Sequence, residues 1–514
     1  MLASAGVSVT VCEAHTVAGG AAHHFSRSGH TFDAGPSFYF GLQDQKGTSL
    51  NALKQVLDLL GEAVPCASYD RWTVHTGPAS DSQRFQCTTS ASEYGATIAR
   101  LGGPQAAQQW AALQARIAPL SAMAAQLPFA ALRGDAAAPL ALARFAPGLA
   151  SGAAALAAAP GGVPASIAAL QGSFGDVLRS AGVTDPWLRS LLDLETFVIS
   201  GCLADATPAP EMAFVMSERF RAGATLDHPI GGGRAWIDAL LRGIKRRGGR
   251  VQLRCPVEQV VVEGGRAAGV RLAGGRGTVR ARRAVVSSAS VWDTAARLLP
   301  AGALPAGDTK RAAATPECGS FLHLHLGFDA TGLDLAATGI HHLVVDDFRS
   351  ERLEDARNVV NISIPTALDA SLAPAGRAVA HVYGAANEPY DDWAGLTRGS
   401  AAYSQLKEER SEALWAALER VIPDVRQRAG LQLIGTPLTH ERYLRRNRGS
   451  YGPAPAVDAW PGPRTALPGL LACGDSTFPG IGVPAAAASG VIAANTLLPI
   501  WEHFKVLDGI LARE

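Results

Sequence analysis

The first residues of the chain follow the pattern of a helix end and then a buried strand. An apolar stretch after Met1 ends at Gly6, and an apolar run from Val7 continues to the acid Glu13. Glycine commonly terminates a helix, and a nearly continuous apolar run is typical of a strand that is covered on both faces. We therefore interpret residues 1–13 as the second half of a βαβ unit.

Further along, hydrophobic positions at helical spacing alternate with short apolar runs of strand type. Apolar residues recur every three or four positions in 46–63 and 235–247, and both stretches end at glycine, which predicts amphipathic helices. Further helices are predicted at 403–421 and 484–498. Strand-like runs lie at 251–257, 260–262, 268–272, 284–288, 321–328, 358–364, 378–383 and 469–475. This alternation of helices and strands predicts an α/β fold.

Residues 104–170 form an alanine-rich segment with almost no charge. Between Ala136 and Gly175 the only charged residue is Arg144, and several prolines interrupt the predicted helices. Two interpretations stay open: helical filler, or an apolar flap that dips into a bilayer or covers an apolar tunnel. No charge-free apolar run reaches the roughly 18 residues expected of a membrane span.

Composition narrows the class of protein without identifying it. The chain has 514 residues, of which 47% are hydrophobic and 18% charged, so it can bury a large core. Its net charge of +1 gives no field that would attract nucleic acid. The seven cysteines include no Cys-x-x-Cys pair and no zinc-type spacing, which favours free thiols in a reducing compartment and predicts no metal site. No signal or transit segment is recognisable before the first predicted strand.

Glu13 stands where a dinucleotide-binding fold places an acid. At the end of the second strand of such a fold, a carboxylate accepts hydrogen bonds from the hydroxyls of the adenosine ribose. A glutamate after a strand is by itself more often a surface residue. Here, however, the pair Gly19-Gly20 and the run Gly29-His-Thr-Phe-Asp33-Ala-Gly35-Pro36 follow it. This order resembles the amino-terminal part of a flavin oxidoreductase of the amine oxidase and desaturase type.

The glycine loop that normally accompanies such an acid is expected to be missing. The Gly-x-Gly-x-x-Gly turn lies about 20 residues before the acid in this fold, and counting back from Glu13 runs past Met1. Backbone N–H groups of that turn and of the helix after it would bind the pyrophosphate. We interpret the chain as amino-terminally truncated, with a working protein that lacks the loop as the alternative.

A second group of residues near the carboxyl terminus suits the other side of a flavin. Asp475 directly follows a predicted strand, where its carboxylate suits a ribityl or pyrophosphate-side hydroxyl. Gly480 and Gly482 would let the backbone approach a flat ring, and Pro484 suits the first turn of a helix. The positive end of that helix would favour an anionic, reduced flavin.

These motifs belong to a longer series that covers nearly the whole chain and is weakest in the alanine-rich segment. Its other members are Leu192-Asp-Leu-Glu195-Thr-Phe, Ala204-Asp-Ala-Thr207-Pro208, His228-Pro-Ile-Gly-Gly-Gly233, His341-His342, Ser363-Ile-Pro365, Ser371-Leu-Ala-Pro374, Trp393, Gly435-Thr-Pro437, Thr439-His440, Arg442-Tyr443 and Arg448-Gly-Ser-Tyr451-Gly-Pro453. With this series the sequence resembles the carotenoid isomerase (prolycopene isomerase-like) branch of the FAD-dependent phytoene desaturase and amine oxidase superfamily. The final motif, Phe478-Pro-Gly-Ile-Gly-Val-Pro484-Ala, departs from the isomerase pattern, which leaves the exact reaction open.

The resemblance implies an α/β fold in which a Rossmann-like FAD-binding domain, without its first strand and glycine loop, carries an inserted α+β substrate domain. The discontinuous flavin domain is expected at residues 1–90, 225–300 and 440–514, and the substrate domain, with membrane-facing apolar helices, at 91–224 and 301–439. The implied cofactor is FAD, reduced in its active form. Its predicted contacts are Glu13, Gly19, Gly20, Gly35, Pro36, Val257, Gly474, Asp475, Gly482, Val483 and Pro484.

The resemblance also implies a reaction and a setting, namely cis-to-trans isomerisation of a long apolar polyene of the poly-cis lycopene type at a plastid membrane surface. No catalytic side chain is identified, because the reduced flavin itself would act. Four histidines are candidates for a general acid or base, although a loop histidine is more often structural or solvated: His23, His24, His341 and His342. The alternative enzyme is a redox-active polyene desaturase or retinol-saturase-like reductase. An alternative of another class is a flavin-free carotenoid-binding pseudoenzyme.

Overall fold

The computed structural model describes residues 1–35, 38–126, 128–159, 161–455 and 461–511. Its strands are short near the amino terminus and longest in the middle of the chain. In chain order they are β1 (Thr10–Cys12), β2 (His24–Arg27), β3 (His30–Asp33), β4 (Cys66–Tyr69), β5 (Arg71–Thr76), β6 (Gln83–Thr88), β7 (Leu226–Pro229), β8 (Arg250–Gln252), β9 (Val257–Glu263), β10 (Arg266–Leu272), β11 (Thr278–Arg280), β12 (Val285–Ser287), β13 (Ser320–Asp329), β14 (His341–Val345), β15 (Val359–Ser363), β16 (Arg377–Glu388), β17 (Ala429–Gly435) and β18 (Leu470–Ala472).

Helices connect and cover these strands. In chain order they are α1 (Ala52–Leu60), α2 (Ala91–Ala124), α3 (Ala138–Leu142), α4 (Ala146–Ala158), α5 (Gly162–Gln171), α6 (Phe174–Ser180), α7 (Pro186–Ser200), α8 (Ala209–Arg219), α9 (Arg234–Arg246), α10 (Val291–Asp293), α11 (Ala306–Ala314), α12 (Leu335–Thr338), α13 (Ala401–Glu419), α14 (Val425–Arg428), α15 (Pro437–Leu444), α16 (Val483–Leu497) and α17 (Ile500–Leu511). The longest of them, α2, is kinked at Gly103, where φ is 79°.

A seven-stranded sheet forms the largest β structure, with the strand order β17-β13-β16-β15-β14-β5-β6. Neighbouring strands in it are antiparallel except β14 and β5, which are parallel. Because side chains alternate along a strand, Leu324 and Leu326 of β13 lie on one face of this sheet and His323 and His325 on the other. The leucine face packs against α13 in a hydrophobic core that includes Trp415.

Two short parallel strand pairs lie in the segments where the dinucleotide-binding domain is predicted. The strand β1 pairs with β8, and β12 pairs with β18. The two pairs are separate sheets in the described part of the chain. In the usual order of this fold, the first strand lies between the second and the fourth. Two separate pairs are compatible with the expected absence of that strand, which stays a prediction.

The predicted domain boundary at residue 90 does not coincide with the sheets. The first predicted flavin segment, 1–90, includes the strands β5 and β6, but these strands extend the seven-stranded sheet because β5 pairs with β14. That pairing joins residues far apart in sequence, so local patterns gave no sign of it. The last strand of this sheet in the sequence, β17, ends at Gly435, shortly before the predicted domain boundary at residue 440. The rest of the division stays a prediction.

Two predicted elements differ in extent for physical reasons. The helix expected at 46–63 is limited to α1, because the side chain of Asn51 caps its first turn and Gly61 ends it with a φ of 65°. The strand expected at 251–257 is divided between β8 and β9. Between them lies Pro256, which has no N–H group to pair with a neighbouring strand.

The alanine-rich segment at 104–170 forms the second part of α2 and the helices α3, α4 and α5. Within the described residues, one helical stretch has a length and composition that would suit a membrane span, Ala138–Ala158, with a mean hydropathy of 1.4 and 17% of the window buried. Arg144 interrupts this stretch, so it is not free of charge, and its guanidinium lies 2.5 Å from a carboxylate oxygen of Asp508. Most of the stretch is therefore exposed apolar surface.

Candidate functional site

A cavity of about 1600 Å³, which we call the central cavity, lies where the parallel pairs, the seven-stranded sheet and two helices meet. Its walls come from the loops after β1 and β18, from α8, from the start of α16, and from the strands β13 to β16. Most of the lining side chains are apolar. A few polar and charged groups interrupt this surface, and they divide into a glycine-rich side and a side built by α8 and the sheet.

The amino-terminal part of the glycine-rich side is formed by the loops after β1 and β3. Glu13 directly follows β1, and its Oε1 accepts a hydrogen bond of 2.6 Å from the backbone N–H of His15. Gly20 has a φ of 57°, and no atom lies within 4 Å of the position that a Cβ would take. At Gly35, by contrast, a Cβ would lie 2.6 Å from the carbonyl oxygen of Ala21. Both positions therefore need glycine, the first for its backbone conformation and the second for close packing.

The carboxyl-terminal part of this side is formed by the loop between β18 and α16. The carboxylate of Asp475 forms an ion pair of 2.6 Å with Arg446. Gly482 has a φ of 106°, in the region that favours glycine, and immediately precedes α16. Pro484 occupies the first turn, where a missing N–H costs no helical hydrogen bond. The unpaired N–H groups of this turn give the cavity wall a positive helix end.

The structure brings most of the predicted cofactor contacts to this one cavity. Those that line it are Glu13, Gly19, Gly20, Gly35, Gly474, Asp475, Gly482, Val483 and Pro484. Val257 does not line it, because it begins β9 and pairs with Leu272 in the small antiparallel sheet. Pro36 lies outside the described residues. The role of the other nine as cofactor contacts stays a prediction.

The glycine-rich side offers polar groups and open space that fit a flavin cofactor. Glu13 and Asp475 offer carboxylates to hydroxyl groups from opposite ends of the sequence. An added Cβ at Gly20 or Gly482 would meet open space, so both backbones leave room for a bound group. The positive end of α16 would stabilise negative charge on such a group, typically by 0.3–1 kcal/mol.

On the opposite side, a buried ion pair joins α7 to α8. The guanidinium of Arg219 lies 2.6 Å from Oε1 of Glu195, which also accepts a hydrogen bond of 2.8 Å from the hydroxyl of Tyr94. The guanidinium carbon lies 4.5 Å from the ring centre of Trp72 and 4.3 Å from that of Tyr94. Burial alone would lower the pKa of Arg219, but the charge of Glu195 outweighs it and the pKa is raised. Glu195 and Arg219 therefore form a charged anchor inside the cavity wall.

Two further glutamates lie on the cavity face of α8. Burial raises the pKa of Glu211 to about 8. Burial also raises the pKa of Glu218 to about 7, against the opposing effect of Arg221. Both carboxyl groups therefore hold a proton at neutral pH for much of the time. Neither glutamate could be identified from the sequence, because nothing local reveals which face of α8 is turned to a cavity.

Four buried histidines lie together on the sheet and on α15. His323 Nδ1 is 2.7 Å from His381 Nε2, and His323 Nε2 is 2.5 Å from His440 Nε2. The ring centres of these two pairs are 4.9 and 4.6 Å apart, with planes inclined by 18° and 15°. Because the joined nitrogens are much closer than the ring centres, the rings meet edge to edge. His325 lies beside His381 with nearly parallel rings 4.3 Å apart.

Burial lowers the pKa of all four imidazoles, of His325 to about 4 and of His440 to about 3, so they are neutral at neutral pH. Ligand nitrogens of His323, His325 and His381 lie within 4.8 Å of one another, a spacing that could hold a metal ion. However, two of these nitrogens already form a hydrogen bond with each other. The expectation that the protein has no metal site stays a prediction.

The histidines considered from the sequence do not line the central cavity: His23, His24, His341 and His342. His323 and His440 do line it. His323 could have been found from the run His-Leu-His-Leu in β13, since polar residues at every second position of a buried strand point to a polar face. His440 belongs to a helix, so no such alternation marks it.

Comparison with known sequences gives a family match over almost the whole chain. The family described as flavin containing amine oxidoreductase matches residues 1–498. Chloroplastic prolycopene isomerase of Daucus carota is 34% identical over 348 residues, covering 66% of this chain and 55% of that protein. Neurosporene-forming phytoene desaturase of Rhodobacter capsulatus is 26% identical over 331 residues, or 61% of each chain. The chain thus spans less than two thirds of the length of these relatives.

Solved structures support the fold. An oxidoreductase from Methanosarcina mazei superposes with a TM-score of 0.59, covering 96% of both chains at 18% sequence identity. This likeness confirms the predicted α/β class with helices and sheets arranged as in that oxidoreductase. The resemblance to the carotenoid isomerase branch, drawn from the motifs, is confirmed by the similarity to the prolycopene isomerase.

Proposed function

Because this chain belongs to the flavin-containing amine oxidoreductase family, we propose that it is an FAD-dependent enzyme that isomerises a long conjugated polyene of the carotenoid type. The observation that carries this proposal is the shared cavity. Glu13, Asp475 and the start of α16 border one side of it, and a mainly apolar surface continues on the other side. A flavin dinucleotide and an apolar substrate could thus meet in one cavity.

The glycine-rich side would hold the cofactor. Glu13 would accept hydrogen bonds from the adenosine ribose, and Asp475 would accept one from the ribityl or pyrophosphate side. Gly482 and the first turn of α16 would lie against the flavin ring. When bound, reduced FAD supplies an electron-rich ring that can lower the order of a conjugated double bond.

The side built by α8 and the sheet would hold the polyene. Aromatic and aliphatic side chains of this wall, such as Phe38, Phe214 and Leu343, offer dispersion contacts to a hydrocarbon chain and exclude water. The buried pair Glu195–Arg219 fixes α8 against α7, which keeps this wall in place. The chain would thus position the substrate and keep it dry, without a catalytic side chain.

Cis-to-trans isomerisation is favoured by the higher identity to the prolycopene isomerase than to the phytoene desaturase. The rival is a redox-active enzyme, a polyene desaturase or retinol-saturase-like reductase, and the similarity to the phytoene desaturase supports it. Because isomerisation leaves the mass of the polyene unchanged, a product that differs by two hydrogens would favour the rival.

We also propose that the protein works at a membrane surface. Most of the helical stretch Ala138–Ala158 is exposed and apolar, as expected of a segment that rests on lipid. The prolycopene isomerase relative is chloroplastic, which suggests a plastid or comparable photosynthetic membrane. A flotation assay with liposomes would test this part, and loss of flotation after replacement of Leu140 by lysine is the expected result.

Flavin binding is the first test. The purified chain is incubated with FAD, passed over a desalting column and examined for absorbance at flavin wavelengths. Retained FAD at one molecule per chain is the expected result. If no flavin is retained but a polyene still binds, the flavin-free carotenoid-binding pseudoenzyme becomes the better description.

The reaction is the second test. Reduced FAD and a poly-cis lycopene are added without oxygen, and the products are separated by chromatography and weighed by mass spectrometry. Formation of the all-trans isomer at unchanged mass is expected. A product lighter or heavier by two hydrogens would replace the isomerase with the redox-active rival.

A further inference from the structure

We propose that the polyene taken by the central cavity carries an oxygen-bearing group, a hydroxyl or a carbonyl, and that Glu211 binds this group. The inference rests on the proposed function, because it assumes a polyene in the cavity. It goes further by naming the substrate class and the residue that selects it.

The first observation is the composition of the cavity face of α8. The residues of this helix that line the cavity are Pro210, Glu211, Phe214, Val215, Glu218 and Arg219. Glu211, Phe214, Val215 and Glu218 are spaced by three, four and seven positions, so they lie on one face of the helix. Between the two carboxyl groups this face is aromatic and aliphatic. A cavity wall that contacts only a hydrocarbon gains no hydrogen bond from carboxyl groups at these positions.

The second observation is that Glu211 has no partner of its own. In the described part of the chain, its carboxyl group forms neither a hydrogen bond nor an ion pair, whereas Glu195 on α7 is bound by Arg219 and Tyr94. Burial is the sole cause of its raised pKa, with no contribution from a cation. Its side chain is nevertheless partly accessible, and the accessible space beside it is the cavity.

Glu218 is less accessible from the cavity than Glu211, and this difference decides which of the two can bind a ligand. It is only 3% exposed, both of its oxygens are buried without a hydrogen-bond partner, and Arg221 Nε lies 3.9 Å away. A ligand in the cavity would not reach these oxygens without a change of side-chain conformation. Glu211 therefore is the carboxyl group that a bound molecule can contact.

The energetics favour a substrate with an oxygen. A hydrocarbon would displace water from Glu211 without offering a hydrogen-bond partner, so the carboxyl group would be left unsatisfied in a dry site. A hydroxyl or carbonyl on the polyene replaces that water as a hydrogen-bond partner. The protonated carboxyl group can donate to either of these groups, and it can also accept from a hydroxyl. Such a contact should raise affinity about tenfold or more over the matched hydrocarbon.

The test compares two polyenes on the same protein. The probes are lycopene and 1-hydroxy-1,2-dihydrolycopene, which share the conjugated system and differ at one end, and binding is followed by quenching of tryptophan fluorescence. Wild-type protein should bind the hydroxylated probe about tenfold or more tightly. Glu211→Leu should remove this preference, Glu211→Gln should keep most of it, and Glu409→Leu, at an exposed position of α13, should leave it unchanged.

The ratio of the two affinities is the decisive quantity, because a variant that folds poorly weakens both probes alike. Equal binding of the probes by the wild-type protein would overturn the proposal. So would a preference that survives in Glu211→Leu, or one that is lost only in Glu218→Leu. Failure to bind either probe would instead contradict the proposed function, so the two failures are distinguishable.

Discussion

His323 Nδ1 lies 2.7 Å from His381 Nε2, and this contact joins β13 to β16 across the face of the sheet that is turned towards the central cavity. A neutral imidazole carries one N–H, so one ring donates and the other accepts at each such contact. His440 continues the series from α15. The arrangement is stable only while these rings are uncharged, because protonation would place two donors against each other.

Acid should therefore destabilise the protein through this cluster. The pKa of His325 is lowered to about 4 by burial, whereas an exposed histidine has a pKa of about 6.5. The unfolded chain then binds the extra proton between these values, so stability is complete above about pH 6.5 and is lost as the pH falls towards 4. His325→Asn should flatten this slope by roughly 3 kcal/mol at most.

The measurement is the free energy of unfolding in urea at a series of pH values. The wild-type protein serves as the reference, and the difference between the two curves gives the contribution of His325 to the pH dependence of stability. Parallel curves for His325→Asn and wild type between pH 6.5 and 4 would contradict the prediction.

Flavin binding should depend on Gly482, which precedes α16, more than on Gly490 within that helix. Gly482 has a φ of 106°, and a side chain at this position would enter the cavity. Gly482→Val should strain the backbone and abolish retention of FAD. Gly490→Ala is the matched control, because an added Cβ meets nothing within 4 Å and alanine favours a helix. Equal FAD retention by Gly482→Val and the control would count against the assigned cofactor side.

Removing Arg219 should be strongly destabilising. Arg219→Met would leave Glu195 charged and unpaired in the interior, which costs about 3–5 kcal/mol. The double variant Glu195→Gln with Arg219→Met should recover a large part of this loss, since it leaves no buried charge. Denaturant titration measures all three proteins. Arg271→Met, from the exposed pair with Glu258, is the control and should change little.

Cys202 and Cys318 should resist alkylation in the folded protein. Their sulfur atoms are 3.9 Å apart and both residues are buried. The contact with Cys202, together with burial, raises the pKa of Cys318, so little reactive thiolate is present. Iodoacetamide at pH 8 should label both residues only after unfolding, as read from peptide masses. Rapid labelling of Cys318 in the folded protein would contradict this prediction, because it would show that the region around the two thiols opens to solvent.

Part of the site could be read from the sequence because its residues belong to local motifs. Glu13 follows an apolar strand, and Asp475 and Gly482 lie between a strand and a helix that begins with proline. The residues next to them in the sequence are therefore enough to predict where they lie in the fold. These positions do meet at one cavity. Val257 was predicted with them and does not, because a residue at the start of a strand gives no sign of which way its sheet faces.

The substrate side could not be read in the same way. Glu211 and His323 reach the cavity only through the packing of α8 and the register of β13 against β16. The run His-Leu-His-Leu indicates a polar face of β13, but the elements against which this face and α8 pack are not encoded in nearby residues. The same holds for β5 and β6, whose membership of the seven-stranded sheet depends on pairing with β14, more than two hundred residues later.

The joint presence of Glu13 and Asp475 on one cavity has a consequence for the order of events during synthesis. The ribosome releases Glu13 long before it releases Asp475 and the turn that begins α16. A nascent chain therefore carries only half of this binding surface while the residues between them are being translated. Any ligand that needs both halves can be captured only after the first turn of α16 has emerged from the ribosome.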